Sequence, residues 1–481
     1  MNDLSPRQPF RPLLWADFVI DLQEYLADFP DDVCLVGGAV RDLLLNRPSD
    51  DLDLITPGDP VHLARKIANY FKGDCFVMDA ERGVARVLLS HSEGTLVIDV
   101  ARMRGATLWD DLVDRDFTVN AIAVPFKGDL NTIIDPLNGE GDIRAKLLRR
   151  CSEVSFQNDP LRMLRAVRQS VELNLRIEAA TLADLRARVN TLTLVSPERL
   201  RDEWYKLLKL PRPVAALRVA DALGIIATLL PEVAHLRQLI HPPSTRWEYT
   251  LALIDHISAI ITSISYHRTD NTAASFALGT MVIQLDRYRQ SLVTHLEKQW
   301  PNNRSHRALI MLAALLHAVG EGDLSHTLSL ADQRIESLKL SNTERTYVLQ
   351  LIRHQNRLIQ VDENLPLSIY RYWRDTGEAG IDVALLSLAH ALAGADSGLS
   401  QDDWIKLLEK VGAVLDAWFI KHHTQVSPPV LVDGTELVQI FHLKPGPIIG
   451  ELLEAIREAQ VIGHINTADD ALNFARAYLR S

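Results

Sequence analysis

The hydrophobic pattern of this chain changes period once, near residue 143, and that change constrains the fold more than any single motif. Before it, strand signals dominate. Residues 33–36 form a short apolar run closed by Gly37-Gly38, which reads as a buried strand and a tight turn. Residues 39–45 then read as a short helix. Residues 51–55 (Asp-Leu-Asp-Leu-Ile) alternate polar and apolar, and 61–70 are helical in pattern. Residues 84–89 and 95–100 are β-branched strand candidates, with another inside 121–125. After residue 143 strand signals become rare and apolar residues recur at helical spacing. The prediction is an α/β N-terminal head with a small mixed sheet, followed by an elongated all-α body. The expected divisions are 1–143, 144–212, 213–420 and 421–481, with Pro211 and Pro213 bracketing one joint.

Charge narrows the function classes. Aspartate and glutamate total 62 against 51 lysine and arginine, a formal charge of −11. Such a chain is not drawn to nucleic acid as a whole, so RNA or DNA binding needs a local basic face. Residues 144–212 supply one, with 15 lysine and arginine against 8 acids. Hydrophobic residues at 47% and charged residues at 23% exclude disordered and collagen-like classes. The three cysteines (Cys34, Cys75, Cys151) are too few and scattered for a disulfide scaffold or thiolate zinc site, and fit a reducing compartment. No uncharged apolar run reaches the length of a membrane span, and the first residues lack a signal-peptide pattern. A cytoplasmic enzyme or binding protein is the expectation; nothing in the sequence fixes an oligomeric state.

Asp51 and Asp53 are two apart on a predicted strand, so both side chains leave the same face while Leu52 and Leu54 enter a core. Two neighbouring carboxylates repel unless a cation sits between them. Mg²⁺ is the natural occupant; a solvated acidic strand edge is the other reading. Gly37-Gly38 lies between strand and helix, where glycine lets the backbone approach a phosphate and helix N–H groups face anions. Arg41, one turn into that helix, adds a charged donor. Alone, the turn also reads as a tight corner. Asp99, on a neighbouring predicted strand, is a candidate third metal ligand or a surface acid.

Val36-Gly37-Gly38-Ala39-Val40-Arg41-Asp42 followed by Asp51-Leu52-Asp53 resembles the head motif of the class II tRNA nucleotidyltransferase and bacterial poly(A) polymerase family. That family belongs to the polymerase-β-like nucleotidyltransferase superfamily. Arg115-Asp116-Phe117-Thr118-Val119-Asn120-Ala121 is similar to its next block, and implies that Arg115 contacts nucleotide phosphate or ribose while Asn120 shapes the site. An ion pair of Arg115 with Asp111 or Asp116 is the plain alternative. Asp135-Pro136-Leu137-Asn138-Gly139, with Asp142 and Arg149, resembles a structural block. In Asn158-Asp159-Pro160-Leu161-Arg162-Met163-Leu164-Arg165-Ala166-Val167-Arg168, the arginines recur every third residue on one face of a predicted helix. Asp159 is also a good helix cap ahead of Pro160. The resemblance implies that Asp159 and Arg162 read the base of CTP or ATP, while Arg165 and Arg168 hold phosphate or organise the pocket. Asn158 stands where the family commonly has glutamate. Residues 196–203 resemble a buttressing block, in which Glu198 and Arg201 are expected to pair. Residues 433–435 and 443–452 resemble a family tail.

Taken together, the resemblance implies an Mg²⁺-dependent transferase adding CMP or AMP, or both, to the 3′ end of tRNA, its helical body gripping the RNA by backbone charge. Poly(A) polymerase is the nearest alternative enzyme, and an RNA-binding pseudoenzyme the non-enzyme one. Two departures stand out. Many relatives carry a metal-dependent phosphohydrolase signature, Leu-Leu-His-Asp, whereas here Ala318 follows His317 and Tyr249 stands where an earlier histidine is expected. A helical scaffold without hydrolase activity follows. Residues 101–107 form a shorter connection than CCA-adding relatives have, which resembles members that add only the two cytidines.

Overall fold

In the computed structural model, residues 4–47, 51–91, 94–265, 276–301, 304–394 and 399–480 are described. The chain divides into two compact units: residues 1–195 with 222–228, and residues 196–221 with 229–481.

The first unit opens with α1 (Asp17–Leu26) and builds a six-stranded mixed sheet. Its strands are β1 (Cys34–Val36), β2 (Asp51–Thr56), β3 (Asp74–Asp79), β4 (Val84–His91), β5 (Gly94–Arg102) and β6 (Ala123–Pro125), in the spatial order β3-β4-β5-β2-β1-β6. Only β2 and β5 run parallel; the other neighbours are antiparallel. Helix α2 (Gly38–Leu44) follows β1, and α3 (Pro60–Phe71) crosses between β2 and β3. Asp59 starts α3 by accepting the amides of Val61 and His62, with Pro60 at its first turn. Helix α4 (Leu108–Val113) and α5 (Gly139–Ala145) complete this part.

The alternation along β2 is obeyed. Leu52 and Leu54 are buried, each contributing roughly 1.5–3 kcal/mol by leaving water, while Asp51 and Asp53 take the other face. Strand β3 escaped the sequence reading. Phe76, Val77 and Met78 stay exposed on this edge strand, so it carries no hydrophobic alternation to detect. After the sheet come the helices Leu161–Glu172 and Ala179–Arg188.

The second unit is helical. Its longest members, Arg246–Ile264 and Gln401–Phe419, pack with His306–Leu316 and Gly380–Ala393 around Ile254, Ile257, Leu312, Leu385 and Leu388. Three tail helices, Gly434–Phe441, Pro447–Val461 and Ala468–Tyr478, share a small core of Leu437, Leu452, Ile456, Ala471 and Ala475. The expected Glu198–Arg201 pair does not form. Arg201 bonds Asp202 at 2.8 Å and the Lys339 carbonyl at 2.6 Å, because its buried guanidinium turns into the unit, where a carbonyl awaits it. Among the described residues, no helix is long and apolar enough to cross a membrane.

Candidate active site

Strand register assembles the acids. Asp53 stands opposite Val36 on β1 and opposite Asp99 on β5. The chain leaves Val36 through Gly37, whose φ of 79° and ψ of −136° are conformations only glycine holds without strain. A Cβ added there would lie 2.8 Å from Asp53 Oδ2 and 3.3 Å from Arg115 Nη1. Glycine turn, carboxylate and guanidinium therefore converge on one point. Burial raises the Asp53 carboxyl above its ordinary value; the Arg115 charge opposes this, while Asp99 and Asp51 push the same way as burial.

Each arginine of the site is held by an acid. Arg115 meets Asp111 Oδ2 at 2.9 Å, so the plain helix-end pair exists alongside its approach to Asp53. Asp111 is 1% exposed and also accepts the Arg104 amide, which anchors it. Arg41 makes a two-bonded contact with Asp42 (2.9 and 2.8 Å) and donates to Asn120 Oδ1 at 2.6 Å. Arg86 gives both oxygens of Asp99 a hydrogen bond, at 2.7 and 2.8 Å. A metal ligated by Asp99 would compete with that guanidinium.

Asn120 links the glycine-turn helix to the arginine helix. Its amide donates to Asp116 at 2.9 Å and to Gln169 at 3.0 Å. Asp116 accepts Arg165 at 2.9 and 2.8 Å and the Phe117 amide at 2.9 Å. Its burial alone would raise its carboxyl, yet the Arg165 charge and these hydrogen bonds hold it down to about 2.

The three arginines of Leu161–Glu172 meet three different surroundings. Arg162 is buried and donates to the carbonyls of Asp114 (2.6 Å) and Arg115 (3.2 Å) and to Ser155 Oγ (3.1 Å). Arg165 holds Asp116, and Arg168 bonds Glu172 at 2.5 Å. Asp159 accepts the Leu161 amide at 3.2 Å, as a first-turn cap does. Arg86 and Gln169 were missed by the sequence reading, which named Asp111 only as an ion-pair partner of Arg115. Register was the available signal for Arg86, which faces Asp99 across β4 and β5; Gln169 lies four residues beyond Arg165 on the same helical face.

A second cluster with metal-binding residue types, His295, His306 and Asp382, lies in the helical unit. The Trp300 indole, which can only donate, bonds His306 Nδ1 at 2.9 Å. The neutral ring then carries its hydrogen on Nε2, 2.8 Å from Asp382, with no lone pair left for an ion. The Tyr347 hydroxyl also donates to Asp382. Against the effect of burial, the two imidazoles hold that carboxyl far below its usual range. This is a closed hydrogen-bonded group.

Fold and site together define a class: a nucleotidyltransferase-type head, with paired strand carboxylates beside a glycine turn, attached to a helical body. Residues 33–149 match the family model described as poly A polymerase head domain. Residues 174–236 match that of a probable RNA and SrmB-binding site of polymerase A, and 322–475 that of tRNA nucleotidyltransferase domain 2. The chain belongs to the class II tRNA nucleotidyltransferase and poly(A) polymerase family. A CC-adding tRNA nucleotidyltransferase of Synechocystis sp. is 29% identical over 455 residues, covering 94% of both chains. An A-adding tRNA nucleotidyltransferase of Deinococcus radiodurans is 28% identical over 476 residues, covering 94% of this chain and 97% of that one. The solved apo structure of a CCA-adding enzyme shares the fold, with a TM-score of 0.63 at 20% identity over 98% of this chain and 99% of that one. Membership implies divalent-metal dependence, and the hard carboxylate oxygens of Asp51 and Asp53 on one face of β2 suit such an ion.

Proposed function

We propose that this chain transfers nucleotides from CTP or ATP to the 3′ end of tRNA, that Mg²⁺ sits on Asp51 and Asp53, and that the chain adds the two cytidines only. The observation that carries the reading is the convergence of Gly37, Asp53 Oδ2 and Arg115 Nη1 on one point. The RNA 3′-hydroxyl attacks the α-phosphorus, the bond to the bridging oxygen breaks, and pyrophosphate leaves. Bound there, the divalent ion supplies Lewis acidity toward hydroxyl and phosphate oxygens. The Gly37-Gly38 turn lets the triphosphate approach the backbone without a side chain in the way. Arg115 and Arg41, already oriented by Asp111 and Asp42, offer guanidinium donors to phosphate oxygens. Asn120 keeps Arg41 and the arginine helix in register with the turn.

Asp159 and Arg162 are assigned to the base. For Arg162 this means exchanging the carbonyls of Asp114 and Arg115 for the base edge. Arg165 and Arg168 organise the pocket behind it. The helices beyond residue 144 are assigned to the tRNA, by shape and backbone charge, with the cytoplasm as the compartment. The limit to cytidine is supported by the connection after β5. Only residues 103–107 separate Arg102 from α4, and Asp110 fastens them by accepting the Ala106 and Thr107 amides at 3.1 and 2.9 Å. So tight a segment leaves little slack for switching a pocket from CTP to ATP.

The test is to sequence tRNA ends after reaction with CTP, ATP or both, for the parent and for Asp53→Ala. Two added cytidines without adenosine, abolished in Asp53→Ala, are expected. Terminal adenosine would refute the cytidine limit, and incorporation surviving Asp53→Ala would refute the mechanism.

A further inference from the structure

The helical unit contains a cavity of about 470 Å³ between the helices Arg246–Ile264, Asn342–His354 and Gly380–Ala393. Its charged lining is of one sign. Arg246, Arg353 and Arg357 supply it, beside the imidazoles of His317, His354 and His390, which burial holds toward the neutral form, and no aspartate or glutamate faces the cavity among the described residues. Arg357 is neutralised by Asp375 at 2.9 Å. Arg246 and Arg353 have no carboxylate partner among the described residues, although elsewhere in the unit arginines such as Arg304, Arg334 and Arg345 are paired with acids. Unpaired guanidiniums gathered at a concave surface are the chemistry of an anion site.

A second observation is independent of charge. His317 is 8% exposed and gives its Nδ1 hydrogen to the Ala314 carbonyl at 2.8 Å. The ring's lone pair therefore lies on Nε2, which is buried and has no hydrogen-bond partner. Buried acceptors are rarely left so, and this one belongs to a residue lining the cavity. It requires a hydroxyl or N–H brought by something else. Opposite it, the Tyr249 hydroxyl lies 2.9 Å from His390 Nδ1 and supplies a flat aromatic wall.

We propose that this cavity binds a small phosphate ester bearing hydroxyl groups, of mononucleotide size or below, with the phosphate on Arg246 and Arg353 and a hydroxyl donated to His317 Nε2. The volume falls within the range of small-molecule pockets. Ala318 beside His317 provides no ligand for a metal, and the proposal is of binding alone. The site lies wholly in the second unit and shares no residue with the nucleotidyl-transfer site.

Isothermal titration of the full chain with ribose 5-phosphate, and separately with inorganic phosphate, tests this. Saturable ribose 5-phosphate binding is expected, at least tenfold tighter than inorganic phosphate. It should weaken at least tenfold in Arg246→Ala and in Arg353→Ala, and persist in Arg115→Ala. Arg353 is exposed, so its variant keeps the test open if Arg246→Ala fails to fold. No heat at millimolar ester, equal affinity for inorganic phosphate, or loss in Arg115→Ala with retention in the two cavity variants would each overturn the proposal.

Discussion

The head and the helical unit both gather arginines, and they treat them oppositely. In the head, Arg41, Arg86, Arg115 and Arg165 each meet an acid: Asp42, Asp99, Asp111 and Asp116. In the helical cavity, Arg246 and Arg353 meet none among the described residues, and three histidines stand in place of the acids. A paired guanidinium is fixed in direction before a substrate arrives, and a network of such pairs supports geometry. An unpaired one keeps its full charge for whatever anion enters. The first arrangement suits chemistry that depends on ångström-scale placement; the second suits capture.

The largest effect should come from breaking the head's network at Asp116, a buried acid that gathers four donors. Asp116→Ala leaves Arg165, Asn120, Gln169 and the Phe117 amide without their common acceptor. Removing one partner of a buried pair typically costs about 3–5 kcal/mol. Urea unfolding should show a loss of that size, with nucleotidyl transfer falling as Asn120 and Arg41 lose their support. A variant as stable and active as the parent would mean the network is ornamental, and the contrast between the two regions would collapse.

Acid should weaken the cavity next. Burial, with Arg246 and His241 adding to it against the Ala314 hydrogen bond, holds His317 down to about 4. Burial, then His317 and Arg246, holds His390 down to about 3. The unfolded chain protonates both near 6.5, so it takes up protons that the folded unit refuses. Stability is therefore complete above pH 7 and falls as pH drops from 6.5 toward 4. For His317 alone the loss by pH 5 is about 2 kcal/mol. Unfolding midpoints of the parent and His317→Gln from pH 8 to 5 check this. The variant should show a visibly flatter fall; parallel curves would deny His317 its buried neutral state.

Much of the head was legible because its chemistry is local. The pair Asp51 and Asp53 needed only the two-residue strand period, and Gly37 only a strand ending in glycine. The partners were not legible, because they are set by register and packing. That Asp99 belongs to Arg86 follows from the β4–β5 pairing, and that Arg162 turns to the carbonyls of Asp114 and Arg115 follows from how one helix is seated. Equal spacing of Arg162, Arg165 and Arg168 suggested one shared face, yet small angular drift along the helix sends them to three sets of partners. In the helical unit, the replacement of an acid by Ala318 was plain in the sequence. The cationic cavity around it was not, since Arg246, His317, Arg353 and His390 come from separated segments.

The smallest effect sharpens the comparison most. If Arg353 is held ready for an anion and contributes nothing to the fold, Arg353→Ala should change stability by no more than about 0.5 kcal/mol. The residue is exposed near the end of its helix, and alanine is at least as good a helix former. Phosphate ester should then raise the unfolding midpoint of the parent and fail to raise that of the variant, since only a ligand bound to the folded state stabilises it. In the head, Arg165→Ala should do the reverse, destabilising the unit with no ligand present because Asp116 loses its partner. Equal stability losses for the two arginines would show that pairing does not separate the regions, and that Arg353 has a structural role like Arg165.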